Sequence, residues 1–124
     1  MKLSPLHGAL LIAVSLVMAG CGSGDKAPEL VGVEDISQGA ASAFQSGQAE
    51  IQELSNQVVE ALGRRDFNGA WGALQDLNAH PDLTAEQRAF VAQSLASVGA
   101  ELQKAEQSGD DRARQTLEFH RANK

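Results

Sequence analysis

From Ile36 to Leu62 apolar residues recur at positions 36, 40, 44, 51, 54, 58 and 62, spaced by three, four or seven. Side chains on an α-helix return to one face every 3.6 residues, so this spacing draws a single stripe along a helix. Gly39 and Gly47 interrupt it, and each costs up to about 1 kcal/mol relative to alanine in a helix interior. The expectation is a helix that frays early and is firmer over 48–62, closed by Gly63 as its C-terminal cap.

The same period continues to the C-terminus, punctuated by turn signals. Asp66 is placed to cap a second helix that carries Phe67, Ala70, Trp71, Leu74 and Leu77 on one face. Residues 78–82 read as a turn, because Pro81 disfavours helix at His80. Thr84 and Gln87 have the spacing of a capping box, which starts a third helix running to about Gln107 with Phe90, Val91, Leu95, Val98, Leu102 and Ala105 on its face. Ser108-Gly109-Asp110 breaks that helix, and a last one over 111–122 offers Ala113, Leu117 and His120 as a weak apolar side. No run alternates as a strand with a partner would. Helices joined by short turns pack as antiparallel neighbours, so the expected fold is all-α: a small bundle of three to four antiparallel helices arranged as hairpins. The organisation read from the chain is 1–20 as a signal peptide, 21–34 as a lipidated N-terminus and flexible tether, and 35–124 as the helical domain.

Charge narrows the partners. The chain has ten Lys and Arg against sixteen Asp and Glu, a formal charge of −6. Residues 25–62 carry seven acids against Lys26 alone, whereas 63–124 are close to balance. An acidic surface repels phosphodiesters, so nucleic acid is not an expected partner, and attachment to a membrane must come from something other than net charge.

The start of the chain supplies it. Lys2 precedes an uncharged, mostly apolar run over residues 8–20, which ends in small side chains beside the single cysteine. A secretory signal needs a positive start, an apolar core of about 7–15 residues and small residues before the cut. A spanning helix needs about 20 apolar residues, and Asp25 and Lys26 prevent that extension. Met18-Ala19-Gly20-Cys21 resembles the bacterial lipobox, with Met18 where Leu is usual. The resemblance implies cleavage between Gly20 and Cys21, a diacylglycerol on the Cys21 thiol and acylation of its new amino group. Two or more acyl chains give stable anchoring where one does not. Gly22 after the cysteine, rather than Asp, tilts the expected location toward the periplasmic face of an outer membrane where two membranes exist. This covalent lipid is the only prosthetic group expected.

Residues 51–81 look like one tetratricopeptide-type hairpin, through Leu54, Val58 and Ala61, the corner Arg65-Asp66-Phe67, and Ala70, Leu74, Leu77 and Pro81. The corner glycine of that family is missing. Residues 85–122 echo the unit through Gly109, Ala113 and Leu117. The resemblance implies a protein-interaction surface and no catalysis.

No catalytic set is read from the sequence. Glu50 and Glu53 lack the Glu-x-x-His partners of a bundle metal site, and His7, His80 and His120 share no ligand spacing, so no metal is expected. His80, in a turn, is expected to be exposed. No serine sits in a glycine-flanked elbow. Arg64 and Arg65 complement the negative end of a helix dipole and are candidate contacts for an acidic partner. Trp71 is the expected core anchor between helices, or else a partner contact, since Trp is enriched at interface hot spots. The function expected is therefore a lipid-anchored cell-envelope protein with a non-catalytic interaction domain. The alternatives are a small-ligand carrier or enzyme with a site near Trp71, and a structural spacer, against which Gly39, Gly47, Gly63 and Pro81 argue.

Overall fold

The computed structural model describes residues 28–124 and forms five helices: α1 (Val33–Ala43), α2 (Ala49–Gly63), α3 (Phe67–Ala79), α4 (Ala85–Gln107) and α5 (Asp111–Ala122). The leader, Gly20 and Cys21 lie outside the described residues. The all-α antiparallel architecture is as the periodicity predicts, but there are five helices rather than three or four.

The extra helix comes from a break inside the first stripe. After Phe44 the chain turns back, with the Gly47 amide donating to the Phe44 carbonyl at 3.0 Å. Gln52 Nε2 donates to the Gln45 and Gly47 carbonyls at 3.1 and 2.8 Å, so the turn's acceptors are paired. A seven-residue step from Phe44 to Ile51 keeps both residues on the core whether the helix continues or reverses, and both are 2% exposed. Nor does Gly39 fray α1. A Cβ there would lie 2.6 Å from Phe90 Cε2, so the bare backbone admits the Phe90 ring of α4. Phe90 in turn meets Phe44 edge-on, with centroids 5.8 Å apart.

Two of the three other connections, α2–α3 and α4–α5, turn on one device. At the end of α2, the Asp66 amide donates to the Ala61 carbonyl and the Arg65 amide to Leu62, at 2.8 and 2.9 Å. At the end of α4, the Asp110 amide donates to Ala105 and the Gly109 amide to Glu106, at 2.9 and 3.0 Å. Each is a Schellman closure around a left-handed residue, Arg65 (φ 54°) in the first and Gly109 (φ 92°) in the second. The cap expected at Gly63 is thus displaced. Gly63 is the last helical residue, and Arg65 holds the conformation that glycine usually takes. Each corner then starts the next helix: Asp66 accepts from the Gly69 amide and Asp110 from the Ala113 amide. The echo between the two halves of the sequence lives in these corners.

α1 packs on α2 and α4, α2 on α3, and α3 on α4, which closes a four-helix ring; α5 docks against α4 and α3. Ile36, Ile51, Val58, Leu74, Leu77, Val91 and Val98 fill the centre of the ring. A smaller cluster of Leu102, Ala113 and Leu117 lies between α4 and α5, and Phe67 and Trp71 pack against both. The capping box at α4 forms as predicted, and Gln87 also donates from Nε2 to the Ala43 carbonyl at 3.0 Å, tying α4 to the end of α1.

Part of the stretch read as tether is structured. Val33 and Glu34 belong to α1, the Val31 amide donates to Ser97 Oγ at 2.9 Å, and Gln93 Nε2 donates to the Glu29 carbonyl at 3.1 Å. The polar face of α4 supplies partners for this backbone, a long-range effect that local composition does not carry.

Candidate interaction cleft

Trp71 is set by the cap at Asp66, which fixes the start of α3 and turns Phe67 and Trp71 toward α5. Its ring lies against the backbone of α4 at Gly99, where a Cβ would stand 2.9 Å from Trp71 Cζ3. Gly99 is therefore the residue that lets the indole approach. His120 meets the indole edge-on from α5, with centroids 5.2 Å apart and planes at 85°. Thr116 Oγ1 donates to Asn68 Oδ1 at 2.7 Å and holds α5 to α3 one turn away. Trp71 is half-buried. It fills neither of the two expected roles alone: it is a core residue on the Gly99 side and a surface residue on the other.

Two depressions flank the Trp71–His120 pair. Between α3 and α5 lies a cleft of about 670 Å³, lined by Trp71, Gln75, Asp76, Gln115, Phe119 and His120 among others. Phe119 is 72% exposed at its edge, an unusual position for a phenylalanine. Between α4, α5 and residues 28–32, the N-terminal strap, lies a smaller groove of about 390 Å³ that includes Leu30, Gln103, Arg121 and Lys124. Chemically, the larger cleft offers an apolar platform for a large side chain. The Gln75 and Gln115 amides can donate to and accept from a peptide backbone. Asp76 is an exposed carboxylate available to a cation.

The other candidates are dispersed. Arg64 pairs with Glu60 at 2.8 Å on the exposed side of α2, where such a bond is worth little. The Arg65 guanidinium stands 5.9 Å from the Phe67 ring centroid. Both sit at the α2–α3 corner and neither lines the cleft with Trp71, although the depression beside Arg64 shares Gly72 and Asp76 with it.

His80 departs from expectation: it is 9% exposed, not open to solvent. The Asp82 amide donates to its Nδ1 at 3.2 Å, which puts the proton of the neutral ring on Nε2, 3.6 Å from Glu50 Oε2. Arg88 donates to the His80 and Pro81 carbonyls, and Gln48 donates to Asp82. This cluster clamps the start of α2 to the α3–α4 turn. Glu50 is thereby given a partner, while Glu53 accepts from Gln57 on its own helix. Among the described residues, no three His, Cys, Asp or Glu side chains come together as a metal site, and no helix is long and apolar enough to cross a membrane.

Phe119 is the residue that the periodicity misses. It falls off the Ala113–Leu117–His120 stripe of α5, and a large apolar residue off its helix's stripe is the available signal. No protein-family model, curated protein or solved structure matches this chain.

Proposed function

We propose that this chain is a lipid-anchored protein of the bacterial cell envelope whose helical domain binds a protein partner in the α3–α5 cleft and catalyses no reaction. The lipobox-like Met18-Ala19-Gly20-Cys21 supports the anchor. The observation that carries the binding reading is Phe119, 72% exposed beside the half-buried Trp71. Aromatic anchors held on a rigid scaffold and surrounded by polar groups are the usual centre of a protein interface. Here the Asp110 cap and the Thr116–Asn68 bond fix the helix that carries Phe119.

The test is a photo-crosslinking residue at Gln115, inside the cleft, in the full chain in its own envelope, with Asn56 on α2 as control. A defined adduct from position 115 alone, abolished by Phe119→Ala, is the expected result. Absence of an adduct from 115, or an adduct indifferent to Phe119→Ala, overturns the reading. A small-ligand site is the second reading, because the cleft's volume falls in the range of about 300–1,000 Å³ typical of ligand pockets. A small molecule that shifts Trp71 emission in the purified chain would favour it.

A further inference from the structure

The chain joins the domain along α4. Two hydrogen bonds, Gln93 to the Glu29 carbonyl and Val31 to Ser97, fix the backbone on either side of Leu30. Leu30 itself remains 59% exposed, and among the described residues it and Phe119 are the exposed large hydrophobics. Leu30 lines the smaller groove together with His120, Arg121 and Lys124, and no acidic side chain belongs to that lining. Arg121 is partly engaged, donating to Glu106 at 3.3 Å, and Lys124 is exposed. The diagonal of the ring is different in character. α2 makes no close approach to α4 and carries Glu50, Glu53 and Glu60 exposed on its surface. Position matters as well as charge. Cys21 precedes Pro28 by seven residues, so whatever path the chain takes, the two Cα atoms lie within about 25 Å.

We infer that the domain lies against the bilayer that carries its anchor, with Leu30, Arg121 and Lys124 turned to the phospholipid headgroups and α2 turned away. This rests on acylation of Cys21 as proposed above. Leu30 enters the interfacial layer, and the two cations meet lipid phosphates, whose charge and acceptor oxygens they complement. One apolar side chain and two cations do not hold a protein at a membrane when its processed chain, without Lys2, carries nine Lys and Arg against sixteen Asp and Glu. The anchor supplies the affinity and the patch supplies the orientation, while the acidic α2 surface is repelled. The α3–α5 cleft, on the other side of the Trp71–His120 pair, then stands beside the membrane surface with its own face free for a partner.

The experiment uses the full-length chain, processed and purified from membranes, in vesicles of phosphatidylglycerol and phosphatidylcholine doped with a nickel-chelating lipid. Acylated Cys21 has no thiol, so a single introduced cysteine takes a spin label: Gln103→Cys beside the groove, or Asn56→Cys on α2. Relaxation by the lipid-borne nickel should be severalfold stronger at 103 than at 56, and Arg121→Glu with Lys124→Glu should abolish the difference. Equal relaxation at the two positions, on a chain whose mass shows the acyl groups, overturns the orientation and leaves the anchor standing. Dipolar broadening between labels at 103 places a second copy in the groove and overturns it too. A mass showing Cys21 without lipid overturns the anchor and this inference together.

Discussion

Gly72 and Gly99 stand near the same indole, in the interiors of α3 and α4, and the structure assigns them opposite responses to one substitution. Alanine is favoured over glycine in a helix interior by about 0.8–1.0 kcal/mol. Gly72 is exposed and a Cβ there meets nothing within 4 Å, so Gly72→Ala should realise the whole gain. At Gly99 the same Cβ would lie 2.9 Å from Trp71 Cζ3 and 3.4 Å from Cη2. Optimal carbon–carbon separations are about 3.5–4.0 Å, so the ring must move by roughly half an ångström or more. It is not free to do so, because His120 stands against it on the α5 side. Overpacking of this kind costs about 1–3 kcal/mol, and disturbing an aromatic pair adds about 0.5–1.5 kcal/mol. After subtracting the helical gain, Gly99→Ala should destabilise the domain by about 2 kcal/mol. For a domain of this size, each 1 kcal/mol moves Tm by about 4–8 °C, upward for Gly72→Ala and downward for Gly99→Ala. Far-UV circular dichroism during urea and thermal unfolding measures both, and Trp71 emission in the native state should shift in the Gly99 variant alone. If both substitutions raise stability, the indole does not lie on the α4 backbone and the account of the cleft wall is wrong.

The corners and the strap give further expectations. Asp66→Ala and Asp110→Ala each remove an N-cap and should cost about 1 kcal/mol in urea unfolding, and Gly109→Ala should cost a further 1–2 kcal/mol or so because it forces a side chain into the left-handed region. Three variants indistinguishable from the parent chain would refute the shared-corner description. Ser97→Ala removes the acceptor of the Val31 amide; at about 1 kcal/mol for such a bond, hydrogen exchange at Val31 should accelerate roughly fivefold while exchange in the ring of α1–α4 is unchanged. Unaltered protection at Val31 would show that the strap is not held by Ser97.

Much of this architecture is legible in the chain because its signals are local. Asp66, the Thr84–Gln87 box and the Gly109-Asp110 break are chemistry of adjacent residues, and the structure places helix ends at each of them. The α1–α2 turn is hidden for a physical reason: a step of seven preserves the helical phase, so Phe44 and Ile51 are buried on either side of a reversal that the spacing does not register. Arg65 carries no sign of its left-handed backbone, since the residue usually found there is glycine. The burial of His80 depends on Glu50, thirty positions earlier, and on the Asp82 amide, so no local pattern announces it. In the same way Gly39 reads as a weak point of its helix and proves to be a seat for Phe90, as Gly99 is for Trp71. The cleft was half visible. Trp71 stands out in the composition, but its partners Phe119 and His120 arrive through the packing of α5 on α3.

The proposed acylation of Cys21 is the premise for where the cleft works and which face meets the bilayer, and it is open to one direct measurement. Cells producing the chain, or its Cys21→Ser variant, are grown with a fatty-acid analogue that can be labelled, and the purified protein is assayed for label and for processing. The account predicts label on the processed parent chain, and for Cys21→Ser no label with accumulation of the unprocessed precursor. Normal labelling of the Ser variant, or a parent chain that is processed without label, would contradict it.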